Sequence, residues 1–189
     1  TCSAEGELVA PQMFLPVAEE HGLLWEIDRW VTGRAIQVIA ERAQMRNDTT
    51  LLVQITQASL QDDTVAKFIG EQLAAHKAPG DRLVLQLPES KVFTHLKQAQ
   101  AFRDAVKRFG CRVGLEQFGT GLNSFQLMQH FEPALVKIDR AFIQDLASNP
   151  DNQAKIREMS ARAVDQGART IAAFVQDAGS MAVLFSSGG

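Results

Sequence analysis

The chain has 189 residues, 46% hydrophobic and 22% charged, which is an ordinary globular composition and enough for one sizeable core. Its formal net charge is −3 and its 19 Lys and Arg residues are scattered, so no basic stripe points to DNA or other duplex nucleic acid, and no apolar run approaches the roughly 18 residues of a membrane span. Helical spacing of Leu24, Ile27, Val31, Ala35, Val38 and Ile39 predicts a long amphipathic helix over residues 23–45. Residues 50–56 form a short β-prone run. A helix over 62–76 follows, with Val65, Phe68, Ile69 and Leu73 on one face, and Ala78-Pro79-Gly80 breaks it. Residues 83–87 read as a second strand and 92–109 as a helix with Phe93, Leu96, Phe102, Val106 and Phe109 inward, capped by Gly110. A third strand spans 112–115, a short helix 123–130 and a fourth strand 135–138. Residues 141–166 read as mostly helical, divided near Asn149-Pro150 and capped by Gly167. A fifth strand at 170–174 and a last helix at 177–185 complete the pattern.

Short apolar strands alternating with helices imply parallel pairing through right-handed crossovers. No glycine-rich phosphate loop follows the first strand, which disfavours a doubly wound nucleotide-binding sheet. The alternation fits a (β/α)8 barrel, an α/β fold of about eight strands. With five strands in view, one or more terminal strands are expected to be missing from the chain, which reads as a single domain over residues 1–189. The residues Thr1 to Glu7 are small and polar, unlike a signal peptide, and Cys2 and Cys111 fit a reducing cytosol better than a disulfide framework. The four histidines show no metal-ligand spacing.

Function in such a barrel sits at the C-terminal ends of the strands. Those ends carry Gln54, Gln86 followed by Pro88-Glu89-Ser90, Glu116-Gln117 before the turn Phe118-Gly119-Thr120-Gly121, Lys137 and Asp139, and Ala173-Phe174-Val175-Gln176-Asp177. One polar end is unremarkable, because strand ends meet water. The set points to a site.

Leu115-Glu116-Gln117-Phe118-Gly119-Thr120-Gly121 resembles the DDFGTG loop of EAL-domain cyclic di-GMP phosphodiesterases. Leu135-Val136-Lys137-Ile138-Asp139-Arg140 resembles that family's LKIDR pattern, Pro11 to Glu20 its PAEFIPLAEE pattern, and Leu85 to Ser90 its LEITES strand. The resemblance implies a barrel of EAL type whose working members cut one phosphodiester bond with Mg²⁺ or Mn²⁺. Carried over position by position, it implies a degenerate site. Gln54 stands for a metal-binding Asn, Gln86 for a metal-binding Glu, Gln117 for a bridging Asp and Ala173 for a Glu, while Glu116 keeps an acid and Lys137 keeps the lysine. An amide oxygen can ligate a cation but does not compensate its charge, and two divalent ions about 4 Å apart repel without carboxylates between them. No metal cofactor and no useful hydrolysis are therefore expected.

The pattern with Phe174 after the fifth strand further resembles the FimX-like branch of the family, regulators of type IV pilus assembly. That resemblance implies a cytoplasmic receptor that binds cyclic di-GMP without cutting it and signals in twitching motility through a PilZ-type adaptor and a pilus ATPase, with no membrane insertion. Asp28 matches a guanine-reading aspartate, Phe174 an aromatic that packs on a guanine or ribose face, and Ala10 and Pro11 a turn beside the same base. Branch members usually keep Glu where Ala173 stands. Leu127 and Met128, on an outer helix, are candidate exposed contacts for that adaptor and ATPase, and the alternatives are a nucleotide-independent interaction scaffold and a weak phosphodiesterase.

Overall fold

The computed structural model describes residues 21–172, which fall into two compact units. The strands follow one another in chain order, β1-β2-β3-β4-β5, in a five-stranded sheet. Each of the first four strands is followed by helix, and the order never reverses. That is the winding of a barrel wall and not that of a doubly wound sheet, whose order turns back at a switch point. The fold is the α/β class that the alternation predicted, with the strand order of a (β/α) barrel wall.

The first unit holds residues 21–84 and 104–111. Its helix α1 (His21–Gln44) and helix α2 (Thr64–His76) pack against each other, with strand β1 (Leu51–Gln54) between them in the chain. Of the stripes predicted for the two helices, Ile39, Val65 and Ile69 are each at most 2% exposed, and Ile36, outside the predicted stripe, is fully buried as well. Burying side chains of this size stabilises by about 1.5–3 kcal/mol apiece. The first strand is shorter than expected, because Thr56 leaves it to cap a 3-10 turn, Gln57–Leu60, by accepting the Ala58 N–H.

The second unit holds residues 85–103 and 112–172. Strand β2 (Leu83–Pro88) enters it, followed by α3 (Glu89–Thr94), α4 (Leu96–Lys107), β3 (Arg112–Phe118), α5 (Ser124–Phe131), β4 (Leu135–Ile138), α6 (Pro150–Asp165) and β5 (Arg169–Ala172). Strands β3, β4 and β5 pair in parallel, Leu115 opposite Val136 and Lys137 opposite Ile171. Gly110 and Gly167 adopt the positive φ of helix-terminating residues, as expected of both.

Four expectations are corrected. The helix predicted over 92–109 starts at Glu89 and breaks at His95, whose φ of −129° and ψ of 44° are non-helical. The break changes the phase of the inward face, so Val92 is buried while Phe93 is 69% exposed. Phe109, also expected inward, is 41% exposed, because it lies beyond the last turn of α4. Residues 141–149 form 3-10 turns instead of α-helix, since Asn149 caps α6 with Pro150 at its first turn and no helix continues backwards through them. Leu127 and Met128, candidate surface contacts, are 5% and 0% exposed, lying with Ser124 and Phe131 on the buried stripe of α5. The predicted helix at 177–185 lies outside the described residues.

Candidate functional site

Asp28 lies in the first unit on α1 and is 2% exposed. Its Oδ2 accepts from the Thr56 N–H at 2.9 Å, the Thr56 hydroxyl at 2.7 Å and the Ser59 hydroxyl at 2.6 Å. One carboxylate oxygen thus ties the long helix to the turn that follows β1. Burial raises the pKa of Asp28, and the hydrogen bonds from Ser59 and Thr56 offset that only in part. Gln54, at the end of β1, is exposed. Thr56 and Ser59 were not singled out in the sequence. A Thr closing a β-prone run ahead of Gln-Ala-Ser-Leu was the available signal, since Ser and Thr favour such caps.

The remaining described positions lie in the second unit. Gln86 on β2 is 1% exposed, and its Nε2 has no hydrogen-bond partner among the described residues. Glu116 on β3 is 7% exposed, and Lys137 on β4 is half-buried. Leu115 and Val136 are in register, and the register then shifts before Phe118 meets Ile138, so Glu116 sits where β3 is irregular. Gln117 is exposed and holds φ at 55°, which interrupts the extended conformation inside β3 where its register against β4 shifts. Its carbonyl accepts from the Thr120 hydroxyl at 2.8 Å.

The turn after β3 is anchored by Glu89, which sequence reasoning placed at a strand end without giving it a role. Its Oε2 accepts the Gly119 N–H at 3.1 Å and the Gly121 N–H at 3.3 Å, and the side chain is 2% exposed. Its Oε1 is buried without a hydrogen-bond partner among the described residues. Gly119 is required on two counts: its φ is +101°, and a Cβ there would sit 2.7 Å from the Phe142 ring and 2.9 Å from the Met159 sulfur. Asp139 caps the turn after β4 by accepting the Ala141 N–H at 2.9 Å. Ala10, Pro11, Ala173 and Phe174 lie outside the described residues.

Comparison with known proteins gives these motifs a context. The EAL domain family profile matches residues 3–188. The Xanthomonas citri FimX EAL domain, solved in complex with c-di-GMP, is 52% identical with a TM-score of 0.90, over 97% of this chain and 72% of that one. The Pseudomonas aeruginosa FimX EAL domain bound to c-di-GMP is 34% identical with a TM-score of 0.88, over 99% and 75%. The Escherichia coli cyclic di-GMP phosphodiesterase PdeF is 31% identical over 143 residues, 76% of this chain and 19% of that protein. The chain thus spans about a fifth of the length of that relative. With the match running across nearly all of it, the chain belongs to the EAL domain family.

Proposed function

We propose that this domain is a receptor that binds cyclic di-GMP and does not hydrolyse it. The observation that carries the reading is the 52% identity, at a TM-score of 0.90, to a FimX EAL domain solved with that nucleotide bound. Asp28 supports it. Three donors fix the carboxylate through Oδ2, and a carboxylate held that way offers Oδ1 to an N–H of a guanine edge in one orientation. Phe174 is assigned the stacking contact, and Ala10 and Pro11 the turn beside the base.

The donor set argues against hydrolysis. A pair of divalent ions needs hard anionic oxygens. Gln54, Gln86 and Gln117 are neutral amides, Glu116 is the one acid among the matched positions, and Ala173 supplies no donor. The Gln86 Nε2 has no acceptor among the described residues, and an amide N–H repels a cation. These residues do not fit a two-metal centre, and binding is proposed to need no Mg²⁺. Similarity to FimX extends the proposal to a cytoplasmic signalling role in type IV pilus biogenesis and twitching motility, with a PilZ-type adaptor and a pilus ATPase as partners.

The test is calorimetric titration with cyclic di-GMP in Mg²⁺ and in EDTA, with chromatography for the linear product in Mn²⁺. Equal binding in both buffers and no product is the expected result. Mn²⁺-dependent turnover above a buffer blank, as in the phosphodiesterase relatives, overturns the inactive assignment. Absence of binding leaves a nucleotide-independent scaffold.

A further inference from the structure

Gln86 is 1% exposed on β2, and its Nε2 has no hydrogen-bond partner among the described residues. Leu85 and Leu87, both fully buried, take the opposite face of the strand, as side-chain alternation requires. An amide N–H removed from water without an acceptor destabilises a fold, and folded proteins leave few such groups. A methionine would fill nearly the same volume at no such cost, so the amide calls for an acceptor that the described residues do not supply. Lys137, half-buried near the end of β4, brings a cation to the strand ends of the same unit. An N–H donor and an ammonium in that setting suit an anionic oxygen.

We propose that Gln86 Nε2 donates directly to a non-bridging oxygen of a phosphodiester, taking the place that a metal ion holds when a carboxylate stands at this position. The inference rests on the reading of the domain as a cyclic di-GMP receptor. The chemistry is a reversal of polarity within one side-chain shape. A Glu offers lone pairs and negative charge, so it faces a phosphate only across a cation. A Gln offers N–H and faces the phosphate without one. Lys137 then neutralises part of the ligand's charge, and the site becomes selective for the diester in metal-free conditions.

Two variants of the full chain, Gln86→Met and Gln86→Glu, test this by titration with cyclic di-GMP in EDTA and in Mg²⁺, beside the unsubstituted protein. Gln86→Met is expected to bind about tenfold or more weakly in either buffer, the loss of one hydrogen bond to a charged group. Without ligand it should melt at the same temperature or higher, because the unpartnered donor is gone. Gln86→Glu should bind about tenfold or more weakly in EDTA and recover part of the loss in Mg²⁺. The side-chain amide resonances of Gln86, assigned by their absence in the methionine variant, should shift on adding cyclic di-GMP to the unsubstituted protein. Should Gln86→Glu fail to fold, the methionine variant and these resonances decide. Binding of Gln86→Met within about twofold of the unsubstituted protein overturns the proposal, and so do unmoved amide resonances at saturation. If the unsubstituted protein itself does not bind, the receptor reading fails first, and that outcome is separate.

Discussion

Asp28 shows how much one side chain can combine. Its Oδ2 holds Thr56 and Ser59, which is a structural task, and its burial raises the pKa. The folded state therefore binds a proton more readily than the unfolded chain, and stability contributed by this group falls as pH rises from the ordinary carboxylate range through the raised value. Guanine recognition has the opposite demand, since only the ionised carboxylate accepts both sets of donors. Affinity for cyclic di-GMP should therefore weaken as pH drops through the raised pKa, and Asp28→Asn should flatten that dependence. The Asn variant keeps an acceptor for Thr56 and Ser59, so it should fold, yet bind about tenfold or more weakly; titrations across pH with circular dichroism check both. A second prediction concerns Cys111. Burial, with Asp81 adding to it, pushes its thiol up to about 12. Thiolate is scarce at pH 8, so Cys111 should resist iodoacetamide in the folded protein and react once denatured, as read by peptide mass spectrometry.

At the scale of elements, steric fit separates glycines that look alike in the sequence. A Cβ on Gly80 would fall on the backbone carbonyl of Phe109, which cannot swing aside. Gly167 has φ of +78° and nothing within 4 Å of a Cβ. Gly80→Ala should cost about 1–3 kcal/mol by overpacking, at least as much as Gly167→Ala, for which only the left-handed backbone penalty of about 1 kcal/mol applies. Denaturant melts of the two variants give the order. The turn over residues 117–121 hangs on Glu89, and Glu89→Ala would leave the Gly119 and Gly121 N–H groups unmet. Amide exchange of those two residues should accelerate in that variant while α1 and α2 keep their protection, because they belong to the other unit. Element boundaries departed from the sequence pattern where no Gly or Pro marked them. The break at His95 is of that kind, and it reversed the expected burial of Phe93.

For the whole molecule, binding is a stability statement. Cyclic di-GMP at about a hundredfold its Kd should stabilise the folded chain by about 2.7 kcal/mol, and removing divalent ions with EDTA should leave the thermal shift unchanged. A shift that disappears with EDTA would contradict metal-free binding. The sequence by itself determined the alternation of strands and helices, the strand-end residues and the motifs that place the chain in its family, because hydrophobic period and motif spacing are local properties of the chain. It also determined the chemistry of Gln86 and Gln117, since an amide is an amide in any fold. Tertiary structure decided which of these groups have partners. That Asp28 is engaged through one oxygen by residues 28 and 31 positions away, that Glu89 anchors a turn 30 residues downstream, and that the Gln86 amide is buried with none among the described residues depend on contacts distant in sequence, which no local pattern encodes.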